Sequence, residues 1–221
     1  MGILSPYAFE KGLSDHKMLH IKNTFLVGKG TNRECYIHPD DPNKCLKVTV
    51  SNDHKESWRE TRYYRLLHKR NIVWDMLARF YGTVTTDMGE AMVCDLPRDF
   101  NGEISKTLYF YLSTEKNTRQ IGNPLPLLYR LHDYIVAQRI IVKDLNFRNM
   151  LYQKLSPTEA NLIIIDGIGN HEFIPFSTYI DFFTLRKINK RWEVFERSWR
   201  RKHKDNPLFI EMLDHEERYR Y

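Results

Sequence analysis

Residues 139–151 read RIIVKDLNFRNML and set three strongly polar groups between two apolar runs. Ile140, Ile141 and Val142 lead in, Met150 and Leu151 lead out, and Asp144, Arg148 and Asn149 stand between them. An unpaired charge is expensive to take out of water. A fold that buries both flanks must therefore bring the centre to a surface or a cleft. Downstream, Leu162-Ile163-Ile164-Ile165 ends in Asp166-Gly167, and upstream Lys47 interrupts the apolar pattern Leu46-Lys47-Val48. Each feature has an ordinary explanation when taken alone. Asp and Asn form loops, Asp-Gly ends strands, and a lysine fits a strand with one wet face.

The surrounding pattern gives these residues an order. FLVGKG (25–30), ECYI (34–37) and KCLKVTV (44–50) read as strands, the last two forming a hairpin around the turn formers PDDPN. Residues 55–69 carry strong helix formers, with Trp58, Tyr63, Leu66 and Leu67 near helical spacing. FYGTVTTD (80–87) and EAMVCDL (90–96) flank Met88-Gly89 as a second hairpin, and 124–140 repeats apolar residues as a helix. MLYQ and LIIIDG flank LSPTEAN as a third hairpin, before a helical C-terminal region. Strands first and helices later indicate an α+β protein with a cleft, changing character near PRDFNG (97–102). The 42% hydrophobic and 28% charged composition is that of a globular chain. No apolar run approaches the roughly 20 residues of a membrane span. The start, MGILSPYAFEKGL, lacks a secretory pattern, and Pro6 stands where myristoylation favours Ser or Thr. A cytoplasmic location is expected. Cys35, Cys45 and Cys94 have no metal-ligand spacing and are expected to be free thiols.

Taken together, the polar residues follow the order of parts of a kinase. Gly28-Lys29-Gly30 precedes a strand, although the third loop glycine is replaced by Arg33. Lys47 lies on a strand, and Glu56 and Glu60 share one face of the next helix as alternative partners for it. Asp144 and Asn149 have the spacing of a catalytic loop whose Asp orients the attacking hydroxyl and whose Asn holds magnesium. Asp166 offers a second oxygen ligand at a strand end.

The stretches GKGTNRECYIHPDDPNKCLKV (28–48), RETRYY (59–64), FYGTVTTDMGEAMVCDL (80–96), NFRNML (146–151) and DGIGNHEFIP (166–175) resemble the bacterial YrbL family of PhoP regulatory network proteins. The likeness covers about residues 25–200. It implies one kinase-like domain over 1–221, with an N-lobe about 20–97, a hinge about 95–102 and a short α-rich C-lobe about 103–221. It also implies ATP and Mg2+ as cofactors. Lys47 would meet the phosphates, with Glu60 as its ion-pair partner and Gly28 and Gly30 in the loop above. Asp95 and Leu96 would hold adenine through their backbone. Asp144 would serve as the catalytic carboxylate, and Asn149 and Asp166 as metal ligands.

Several positions depart from the protein-kinase pattern. Val142-Lys143 replaces His-Arg, leaving Lys143 as a candidate loop anchor, and Asp-Gly-Ile replaces Asp-Phe-Gly. Asn146 stands where many kinases place a phosphate-binding lysine, and Arg148 is the candidate to supply that charge. With 55 residues after Asp166, a small-molecule or lipopolysaccharide-type acceptor is expected rather than a protein. The alternative expectation is a nucleotide-binding pseudokinase that acts as a regulatory module. Residues 186–204 carry nine Lys/Arg against two Glu within a chain of net charge +6. Ile188, Trp192, Phe195 and Trp199 form one stripe there, expected to pack inward. The basic faces are candidates for an anionic membrane surface, and no specific nucleic-acid partner is expected.

Overall fold

The computed structural model describes residues 18–21, 26–30, 32–51, 55–169 and 181–219, the last three without their side chains. The amino-terminal start with Pro6, Phe25 and the 170–175 part of the family-like stretch lie outside the described residues.

Strands β1 (Leu26–Lys29), β2 (Arg33–His38), β3 (Asp41–Thr49), β4 (Phe80–Thr86) and β5 (Gly89–Asp95) form one antiparallel sheet in the order β1-β2-β3-β5-β4. The β2–β3 turn is tighter than PDDPN suggested, because His38 already pairs with Asp41 and the strand absorbs Pro42 near its start. Residues 45–48 of β3 are all buried, since the strand is third of five and covered on both faces. Alternate residues separate the two faces. Tyr36, Leu46, Val48, Ala91 and Val93 form a small outer cluster with Leu19 and Ile21. Cys45, Met92 and Cys94 join the main core on the opposite face. All three cysteines are free thiols.

Helix α1 (Lys55–Lys69) packs Tyr63, Tyr64 and Leu67 into that core. Trp58 does not belong to its buried stripe: it is 62% exposed, with Arg62 lying over its ring at 5.5 Å. After β5, strands β6 (Lys106–Thr107), β7 (Met150–Lys154) and β8 (Ala160–Ile164) make a second, three-stranded sheet. Helices α2 (Leu108–Leu112), α3 (Glu115–Thr118) and α4 (Leu125–Ala137) lie between β6 and β7 in the chain. Helix α5 (Asp181–Lys202) and α6 (Pro207–Tyr219) complete the helical half. The result is an α+β architecture with a sheet-rich first half and helices later. Among the described residues, no helix is long and apolar enough to cross a membrane.

The expected stripe on α5 faces inward. Ile188, Trp192, Phe195 and Trp199 are buried, and Phe147 contacts Phe195 and Trp199 at ring-centroid distances of 5.1 and 5.9 Å. The helix thus supports from one side the loop that carries Asp144. Trp199→Ala should lower unfolding stability by about 3–5 kcal/mol, whereas Val194→Ala on the exposed face should change it by less than about 0.5 kcal/mol. Chemical denaturation of both variants measures the difference.

Candidate functional site

The register of the main sheet decides which way Lys47 points. It pairs with Cys35 on one side and Met92 on the other, and it shares the inner face with Cys45 and Cys94. Lys47 is 9% exposed, on a central strand and not a wet edge. Its Nζ donates to the backbone oxygen of Ile165, next to Asp166. Burial pushes the lysine pKa down, and the neighbouring Cys94, Asp166 and Glu60 more than offset it, so the value stands above that of an ordinary lysine. Burial itself pushes Cys94 up to about 12, so that thiol is neutral at pH 7 and the two carboxylates carry the attraction.

The expected Lys47–Glu60 pair is replaced by another. Arg33 stands two residues before Cys35 and so faces the same side as Lys47. Its guanidinium forks, one nitrogen donating to Glu60 Oε2 and the other to Asp166 Oδ1. Glu60 is 2% exposed and its Oε1 has no hydrogen-bond partner among the described residues. Burial lowers the Arg33 pKa, but the carboxylates of Glu60 and Asp166 raise it overall, so the guanidinium stays charged. Glu56, the other candidate for Lys47, pairs with Lys143 at 3.0 Å. Lys143 is therefore an anchor from the loop to α1.

The loop from Ile140 to Asn149 is held on several sides. Ile141 N–H donates to the Tyr63 hydroxyl at 2.7 Å, and Arg191 of α5 donates to the Val142 carbonyl at 2.9 Å. Lys143 and Asp144 N–H both donate to the Gly167 carbonyl, at 2.6 and 3.1 Å. Asn146 caps the 3-10 turn Phe147–Asn149, accepting from Arg148 N–H and Asn149 N–H. Its role is to shape the turn that presents Arg148 and Asn149. The Asn149 amide nitrogen donates to Asp144 Oδ2 at 2.9 Å. That leaves Asp144 Oδ1 and Asn149 Oδ1 without hydrogen bonds among the described residues.

Gly167 couples this loop to Asp166. Its φ is +77°, and an added Cβ would meet the Asp144 carbonyl at 2.9 Å and the Asn149 amide at 3.1 Å. Both conformation and space demand glycine there. Asp166 Oδ1 also accepts from Gly167 N–H at 2.6 Å. Burial raises the Asp166 pKa, and the charges of Lys47 and Arg33 with the Gly167 amide overcome it, leaving the carboxyl below its ordinary value.

A cavity of about 560 Å³ adjoins Lys47, with Gly28, Asp95, Leu96, Lys106 and Ile165 in its wall. A Cβ on Gly28 would meet nothing within 4 Å, so the space beside that glycine is open. Gly30 closes the β1–β2 turn through its N–H to the Arg33 carbonyl at 2.8 Å and does not line the cavity. Part of the polar surface at Asp95 and Leu96 is already committed within the protein. Leu96 N–H is spent on the Asn43 carbonyl at 2.8 Å, while its own carbonyl has no partner among the described residues. The Asp95 side chain is also committed, accepting from Arg79 N–H and the Tyr81 hydroxyl. Arg148 sits apart from this cavity, its guanidinium 3.9 Å from the Tyr109 ring centre.

These features define an α+β protein in which an inward sheet lysine, a half-buried arginine fork and an Asp-Asn loop are joined through Ile165–Gly167. The chain belongs to the family described as PhoP regulatory network protein YrbL, whose model matches residues 19–200. It is 32% identical over 181 residues to the uncharacterized protein YrbL of Escherichia coli K12 and, equally, to that of Shigella flexneri. The match covers 80% of this chain and 86% of each relative.

The fork makes two measurable predictions. Arg33→Met should cost about 3–5 kcal/mol by leaving Glu60 buried without its partner, and adding Glu60→Gln should recover part of that loss in a double-mutant cycle. The depressed Asp166 pKa adds stability above the ordinary carboxylate range that is lost as pH falls through the folded-state value. Asp166→Asn should therefore show a shallower fall in melting temperature than wild type on acidification below about pH 4.

Proposed function

We propose that this protein is an ATP- and magnesium-dependent phosphotransferase with a kinase-like, two-lobed arrangement in which the nucleotide lies between the main sheet and the helical half. The observation that carries the reading is that Lys47 lines a cavity of about 560 Å³ and is joined through Ile165, Asp166 and Gly167 to the loop that holds Asp144 and Asn149. Lys47 would hold nucleotide phosphates, as a charged lysine held on a rigid central strand. The apolar cavity wall and the Leu96 carbonyl would receive the base, the carbonyl accepting from an exocyclic amine. Asp144 would orient the acceptor hydroxyl through Oδ1, its other oxygen being fixed by Asn149.

The donor chemistry fits magnesium. Asn149 Oδ1 is unspent, and Asp166 keeps Oδ2 without a hydrogen bond among the described residues. Two such oxygens plus phosphate and water oxygens are a normal magnesium set. Bound there, the ion would neutralise charge on the transferred phosphoryl group. Catalysis by this chain would then be positioning and electrostatics.

A second reading draws on the arginine fork. Arg33 already occupies both Glu60 and Asp166, as expected of a nucleotide-sensing regulatory module that performs no transfer. One set of measurements separates the two. Millimolar magnesium-ATP should raise the melting temperature of the wild type, and Lys47→Met should abolish the shift. A screen for phosphate transfer to sugars and lipopolysaccharide fragments should give product with wild type and none with Asp144→Asn or Asp166→Asn. A shift without any transfer would select the module, and the absence of a shift would remove both readings.

A further inference from the structure

A second cavity, of about 440 Å³, is walled by Tyr109, Asp144, Arg148, Ser198, Trp199 and Lys202. Helix α5 therefore does two things with two faces. Its aromatic stripe packs into the core, while its last turn brings Lys202 to the edge of a depression that also contains a carboxylate.

The charge in this depression is unbalanced. Two other cations of α5 have acids beside them, Arg197 with Glu193 at 3.6 Å and Arg200 with Asp214 at 2.6 Å. Arg148 and Lys202 have no carboxylate partner among the described residues. The Tyr109 ring holds the Arg148 guanidinium by its face, which leaves the N–H edges for an anion. Asp144 Oδ1, also unspent, is suited to a hydroxyl.

We propose that this cavity is the acceptor site of the phosphotransfer reaction, and that the acceptor is a small hydroxyl compound bearing a phosphate or carboxylate group. The anion lies between Arg148 and Lys202, and the hydroxyl lies on Asp144. The assignment rests on the phosphotransferase reading. In the reaction the acceptor oxygen forms a bond to the terminal phosphorus of ATP, and the bond from that phosphorus to its bridging oxygen breaks. The electron pair leaves with ADP, and the hydroxyl proton passes to Asp144.

The test is calorimetric titration of the full chain with glycerol 3-phosphate, glucose 6-phosphate and gluconate, with glycerol, glucose and inorganic phosphate as comparison probes. A phosphorylated or carboxylated polyol should bind, and the two chemistries are told apart by which arm responds. The neutral polyols should bind at least about tenfold more weakly, and Arg148→Ala or Lys202→Ala should each weaken the anionic probe about tenfold. Arg197→Ala, on the same helix but outside this cavity, should leave its affinity unchanged. No binding of any anionic polyol up to about 10 mM, well above ordinary substrate affinities, would overturn the proposal. So would binding indifferent to Lys202→Ala, or inorganic phosphate binding as tightly as the phosphorylated polyols. Magnesium-ATP binding with no anionic polyol bound defeats the acceptor site alone. Lys202-dependent polyol binding without any nucleotide binding defeats the phosphotransferase reading and leaves an anion-binding cavity.

Discussion

The arginine fork is the interaction on which the rest of the cleft depends. Arg33 begins β2, Glu60 lies within α1, and Asp166 follows the end of β8, so one guanidinium joins three elements far apart in the chain. Charges are taken out of water there only because their signs alternate. A lysine has no planar fork and would not span two carboxylates in the same way. With Glu60 and Asp166 engaged by Arg33, Lys47 turns to the Ile165 carbonyl and remains charged beside the cavity. The cleft is therefore internally braced by charges of alternating sign before any ligand enters.

Much of the frame was legible because it rests on periodicity. The hairpins, α1, α4 and the α5 stripe all follow from apolar spacing, and the inward turn of Lys47 follows once β3 is central. Trp58 keeps near-helical spacing yet lies exposed, because spacing does not say where a sheet stops covering a helix. The fork was hidden for a different reason. Arg33 reads as a missing loop glycine, and only the pairing of β2 with β3 shows that it shares a face with Lys47. Likewise Glu56 and Glu60 are equivalent by spacing, yet each is taken by a different cation, Lys143 and Arg33. The committed amide of Leu96 was invisible because its acceptor, Asn43, comes from another hairpin.

The Asp-Asn loop shows how irregular backbone is kept rigid without belonging to a sheet or helix. Its carbonyls and amides are shared among Tyr63, Gly167 and Arg191, and Phe147 seats it on the aromatic face of α5. The exposed carboxylate at its centre is thus backed by core packing on the same helix that ends in Lys202. Basic charge along α5 is not uniform in consequence: part of it is balanced by local acids, and part is left facing the cavity beside Asp144.

Gly167 has one more consequence. The neighbour of Asp166 is a hydrogen atom pressed against the Asp144 backbone, and any larger group would collide with it. The place of Asp166 is thereby tied to that of the Asp144 loop, whose Lys143 and Asp144 amides both donate to the Gly167 carbonyl.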